Sequence, residues 1–141
     1  MPNHFHFLIY TRFDFDPQKL TKSLKILLSS YTKAINIQNK TSGSLFQQHT
    51  KAKYLSYESK YDTDYGLICF NYIHQNPFIA GLVKKIEDWE FSSFRDFIGL
   101  CNGTLCNMDF TCNLLNLPKD VKDLYNLSYN NINSIHIESI F

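Results

Sequence analysis

The sequence predicts a mixed α/β fold, a sheet with helices packed on it, and three observations predict it. Residues 4–10 alternate, so that His4, His6, Leu8 and Tyr10 share one strand face while Phe5, Phe7 and Ile9 share the other. A second alternating run lies around 50–57, where Ala52, Tyr54 and Ser56 alternate with Lys51, Lys53 and Leu55. Between and beyond these runs, apolar residues recur at helical spacing, first over 17–36 and again from 65 onward. With 141 residues, 44% of them hydrophobic and 16% aromatic, the chain is long enough to bury a core.

The first strand is apolar on both faces, which predicts an inner strand covered on both sides. Such a strand needs neighbours, and its place at the very start of the chain predicts that strands belonging upstream of it are missing. Asp16 followed by Pro17 is a helix start, a cap and then a first-turn proline. Leu20, Leu24, Leu27, Leu28, Tyr31, Ala34 and Ile35 then form the stripe expected to dock on the sheet, with Lys22, Lys25 and Lys33 falling away from it. Those lysines read either as a solvated face or as part of a surface that tracks phosphates.

Residues 38–44 (QNKTSGS) form a loop. Asp62 or Thr63 is expected to cap a helix carrying Tyr65, Leu67, Ile68, Cys69, Tyr72 and Ile73, which Pro77 stops or bends. A short helical piece over 78–84 follows. Trp89 and Phe91 are expected to anchor the turn into SSFRDFIG, where Ser92 or Ser93 caps another short helix. Helices are also expected over 110–117 and 119–126, with Pro118 between them, before an Asn-rich tail without clear periodicity. This divides the chain into a main domain over 1–99 and a helical extension over 100–141.

Fourteen Lys and Arg against thirteen Asp and Glu give a formal net charge of +1, so attraction to nucleic acid has to come from a local patch rather than from the whole chain. No apolar run reaches the length of a membrane span, and the N-terminus lacks the pattern of a secretory signal, so a cytoplasmic protein with no membrane partner is expected. Cys69, Cys101, Cys106 and Cys112 form no CxxC pair and read as reduced thiols rather than as a zinc site.

Two segments carry possible chemistry. On a strand, His4 and His6 can converge on one point. On a helix, Tyr72 and Asn76 lie at i, i+4 on one face. Two imidazoles and an amide oxygen leave coordination positions open, which suits magnesium or manganese gripping substrate oxygens better than a closed zinc site. A tyrosine near such an ion can serve as a nucleophile, although free phenol, with a pKa of about 10, needs help to lose its proton. The plainer readings are histidines placed by packing and a core tyrosine with its hydroxyl bonded. Phe46, Gln47, Gln48, His49, Lys51 and Lys53 make a basic and aromatic cluster able to stack bases and contact phosphates. His74 points elsewhere on the helix and receives no role.

Taken in order, MPNHFHFLI, LFQQHTKAKYL and YIHQNPFIAGLVKKIEDWEFSSFRDFIG resemble the motifs of the REP-associated tyrosine transposases and the wider single-tyrosine HUH transposase group, over residues 1 to about 99. The resemblance implies an antiparallel, ferredoxin-like sheet, here incomplete at its N-terminal side because the strand, helix and strand that usually precede the His-x-His strand are absent. It also implies cleavage and joining of single-stranded DNA beside hairpins, through a covalent 5′-phosphotyrosine link and without a nucleotide cofactor. Carried over by position, His4, His6 and Asn76 match the metal ligands and Tyr72 the nucleophile, while Phe46, Gln48, His49, Lys51 and Lys53 are given to DNA contacts. Exposed strand edges would favour self-association. The alternative is an inactive, truncated remnant that only binds nucleic acid.

Overall fold

The computed structural model describes residues 5–12, 14–46, 52–55 and 65–132, and among them all regular structure is helical. In chain order the helices are α1 (Pro17–Asn39), α2 (Tyr65–Ile79), a 3-10 turn (Ile86–Asp88), α3 (Phe94–Phe97), α4 (Met108–Leu114) and α5 (Val121–Ser128). The expected ferredoxin-like antiparallel sheet is not formed among the described residues. Residues 5–12 and 52–55, which carry most of the first predicted strand and half of the second, have no regular secondary structure. The physical reason is pairing: alternation makes a strand only where a neighbour takes up its N–H and C=O groups, and no described segment does so. Cα packing divides the chain into two units, Pro2–Lys51 and Ala52–Phe141.

In the N-terminal unit, α1 starts as the sequence predicts. Asp16 caps it, its Oδ1 accepting from the Gln18 N–H at 2.9 Å, and Pro17 occupies the first turn. The helix runs past the expected residue 36 to Asn39. It ends where Lys40 adopts a left-handed conformation (φ 52°) and the Thr41 N–H reaches back to the Asn36 carbonyl at 2.9 Å. The Asn36 side chain then holds the following loop, donating to the Gly43 carbonyl at 2.9 Å and accepting from the Thr41 hydroxyl at 3.1 Å. Without a sheet to dock on, no residue of α1 is buried. Leu20, Leu24, Leu28 and Ile35 are half-buried, whereas Leu27 and Tyr31 remain 58% and 54% exposed. In place of a sheet, Phe5 packs against Phe7 and edge-on against Phe46 (ring centroids 4.8 and 5.6 Å apart), and Tyr31 packs against Phe46 at 5.9 Å.

The C-terminal unit holds the core. Phe70, Ile86, Phe94, Ile98, Leu115, Leu117 and Leu124 are buried together, drawing on α2, the 3-10 turn, α3, α5 and the stretch after α4. Pro77 does not stop α2, because a proline removes only its own donor; the helix continues to Ile79. The stop is Gly81, whose φ of +70° lets its N–H bond the Phe78 carbonyl and the Leu82 N–H bond the Pro77 carbonyl, both at 3.0 Å. The expected helical piece over 78–84 is therefore the end of α2 and its cap. Ser93 is the N-cap of α3 without a side-chain capping bond, and the hydroxyl of the preceding Ser92 accepts from the Phe94 N–H at 3.2 Å. Of the two expected anchors, Trp89 is half-buried and Phe91 is 79% exposed, whereas Ile86 is fully buried in the core. The two late helices form close to their expected places. Asn107 caps α4 through the Phe110 N–H at 3.1 Å, and Asp120 caps α5 through the Lys122 and Asp123 N–H groups at 2.8 and 3.2 Å.

Polar bonds fix the packing of this unit. The buried Gln75 amide donates to the carbonyls of Ser128 and Asn130 at 2.7 and 2.8 Å, tying α2 to the end of α5. The Tyr129 hydroxyl accepts from the Ile86 N–H at 3.0 Å and donates to the Glu87 carboxylate at 2.8 Å. Burial is the main reason that this phenol is pushed up to about 12, with Glu87 adding to the effect.

Candidate active site on helix α2

The buried face of α2 presents Phe70, Asn71, His74, Gln75 and Pro77 to the rest of its unit. Its other face carries Tyr65, Tyr72 and Asn76, all half-buried, together with the buried Cys69. Their spacing of i, i+4, i+7 and i+11 keeps all four on one side of the helix. The Tyr72 and Asn76 side chains are hydrogen-bonded to each other across the one turn between them. That contact lowers the Tyr72 pKa and so favours the phenolate. Burial acts the other way and prevails, holding the Tyr72 phenol above its usual range.

Cys69, one turn before Tyr72, is also raised by burial, against the pull of the Lys53 ammonium, so it stays a thiol and does not compete as a nucleophile. Lys53 is exposed, and its effect on Cys69 brings a positive charge toward this face. The sequence already held these neighbours: Tyr65 and Cys69 sit at helical spacing from Tyr72, and only the contribution of Lys53 needed the three-dimensional structure.

His74, left without a role above, is structural. It is buried against Phe70, Phe94 and Phe97 at ring-centroid distances of 4.3, 5.5 and 6.0 Å, with Nε2 bonded to the Ser93 hydroxyl at 2.9 Å. Its Nδ1 is buried without a partner, and burial lowers its pKa to about 4. A neutral imidazole results.

Of the other proposed site residues, His4, Gln48, His49 and Lys51 lie outside the described residues. His6 and the half-buried Phe46 belong to the N-terminal unit, whereas Lys53, Tyr72 and Asn76 belong to the C-terminal one. Tyr72 and Asn76 are thus the members of the set that the described geometry brings together. Among the described residues, no group of three or more His, Cys, Asp or Glu is arranged to hold a metal, and no helix is long and apolar enough to cross a membrane. Comparison with protein-family models, with characterised proteins and with solved structures gave no match.

The bonded pair makes its own prediction. Asn76→Asp removes the donor and adds a negative charge one turn from the phenol, so the Tyr72 titration should move to higher pH by about one unit or more, and Asn76→Ala should move it less. Ultraviolet titration read as a difference against Tyr72→Phe checks this. Unchanged titration in both Asn76 variants would mean that the pair is not bonded in solution.

Proposed function

We propose that the chain is a single-tyrosine DNA strand-cleaving and strand-joining domain of the transposase type, with Tyr72 as its nucleophile. The observation that carries this reading is the Tyr72–Asn76 pair, set on a half-buried helix face whose opposite face is locked into the core. A nucleophile benefits from a rigid mount, because the attacking atom must be held close to phosphorus and in line with the leaving group. The resemblance of the three sequence motifs supplies the substrate class, single-stranded DNA beside a hairpin.

In the cleavage step, the Tyr72 oxygen forms a bond to phosphorus and the bond from phosphorus to the 3′ oxygen breaks. The product is a 5′-phosphotyrosine and a free 3′ hydroxyl. The phenolic proton is lost as the leaving oxygen gains one, so the step is neutral in protons. Attack by another 3′ hydroxyl reverses it and joins the strands. Asn76, donating to the phenolic oxygen, stabilises the developing phenolate. Lys53 is the nearby cation suited to holding a phosphate oxygen. The same resemblance implies a divalent ion, magnesium or manganese, which would neutralise charge at the phosphoryl oxygen.

A second reading is favoured by the raised Tyr72 phenol and by the lack of a strand to present His6 among the described residues. In that reading the chain binds nucleic acid and transfers no strand. Incubation of the purified chain with single-stranded hairpin DNA and manganese, followed by denaturing electrophoresis, separates the two. The first reading expects a covalent adduct that Tyr72→Phe abolishes. No adduct from a folded chain, or one that survives Tyr72→Phe, overturns it.

A further inference from the structure

The net charge of +1 conceals a segregation of charge along the chain. Residues 17–57 hold seven lysines (19, 22, 25, 33, 40, 51 and 53) and no Asp or Glu, whereas residues 58–141 hold eleven acids against six basic residues. The structure turns part of that excess into a surface. Lys19, Lys22, Lys25 and Lys33 are exposed on α1, and exposed Lys40 follows at its end. At 3.6 residues per turn, Lys22, Lys25 and Lys33 fall within a sector of about 80°, roughly opposite the Leu20–Leu24–Tyr31–Ile35 stripe, and span about 17 Å along the axis. Ser29 and Asn36 lie in the same sector. The result is a straight row of positive charge with no acid in its helix to neutralise it.

We propose that this lysine row binds the phosphate backbone of single-stranded nucleic acid. Charge complementarity selects a polyanion, and the placement of the lysines selects among polyanions. A helix laid on an anionic membrane buries its apolar stripe and so would turn these lysines away from the lipid, whereas a phosphate backbone can follow the row without covering the stripe. The choice of DNA as the polyanion rests on the strand-cleavage reading; the row itself does not.

The test is fluorescence anisotropy of the full chain with labelled oligothymidine, measured from about 50 to about 200 mM salt. The comparison is with the triple variant Lys22→Gln, Lys25→Gln, Lys33→Gln, with circular dichroism confirming its helicity. Three lost contacts should weaken binding by roughly tenfold or more at the low-salt end and reduce the salt slope by about two. The corresponding triple arginine variant should bind as the original chain does, separating loss of charge from loss of fold. Gln variants that bind with unchanged affinity and slope overturn the proposal. So does a chain that ignores oligothymidine but sediments with phosphatidylglycerol vesicles through these lysines. The adduct assay fails separately: lysine-dependent binding without an adduct keeps the row and removes the Tyr72 chemistry, and an adduct with lysine-independent binding does the reverse.

Discussion

Phe94→Ala should destabilise the C-terminal unit by about 3–5 kcal/mol, the range expected when a fully buried aromatic side chain is cut back and the space cannot close. Phe94 has no exposed surface and lies where three elements meet, with its ring centroid 5.5 Å from both His74 and Tyr125. Domains of this kind are stable by only about 5–15 kcal/mol, so a loss of that size removes much of the margin. Because α2 packs on this core, the variant should also lose any reaction that depends on Tyr72, without touching the site. Phe91→Ala is the control, since Phe91 is 79% exposed, and its effect should stay within about 0.5 kcal/mol. Urea titrations followed by circular dichroism measure both. A Phe94 variant as stable as the Phe91 variant would mean that the core described here does not form.

The second large effect is a dependence on pH carried by His74. Its folded pKa of about 4 lies below the ordinary value of 6.5 for an unfolded chain, so the unfolded state takes up a proton first as pH falls. The contribution of this residue is therefore fully present above about pH 6.5 and is lost progressively down to about pH 4. A separation of about 2.5 units corresponds to about 3 kcal/mol. Protonation would put a charge between three phenylalanine rings, and no carboxylate is bonded to the imidazole. Stability of the original chain minus that of His74→Gln, measured by urea titration at about pH 7 and about pH 4.5, isolates the effect from other groups that titrate in this range. A difference that does not shrink toward acid would show that His74 is not buried as described.

What could be read in the sequence was what local chemistry decides. Asp16 and Pro17 define the start of α1, Ser93, one of the two serines expected there, is the N-cap of α3, and the spacing of Tyr72 and Asn76 sets them on one helix face before any tertiary contact is known. What could not be read depended on partners. The alternation over residues 4–10 makes a strand only beside a pairing segment, and without one among the described residues Phe5 packs on Phe46 while Phe7, Leu8, Ile9 and Tyr10 stay exposed. Pro77 misled because proline is a strong but not absolute helix stop, and Gly81, a better one, lay four residues on. His74 gave no signal at all: a buried histidine and a surface histidine look alike in sequence, and only Phe70, Phe94 and Phe97 around it settle the matter. Helical spacing already set Lys22, Lys25 and Lys33 apart from the apolar stripe, whereas Lys40 follows them at the helix end only because α1 runs past residue 36.

The Gln75 amide has a consequence for the timing of motion. It satisfies carbonyls at the end of α5 that the helix itself leaves open, so α5 cannot fray from that end without releasing α2. Backbone amides of the two helices should therefore exchange with solvent deuterium through one shared opening, at matched rates, although the bonded Gln75 and Ser128 are 53 residues apart in the chain. A protease nick just before α5 would then do more than trim an end. It would unlatch the helix that carries Tyr72, and the reactive face would lose its fixed bearing while every residue on it remained in place.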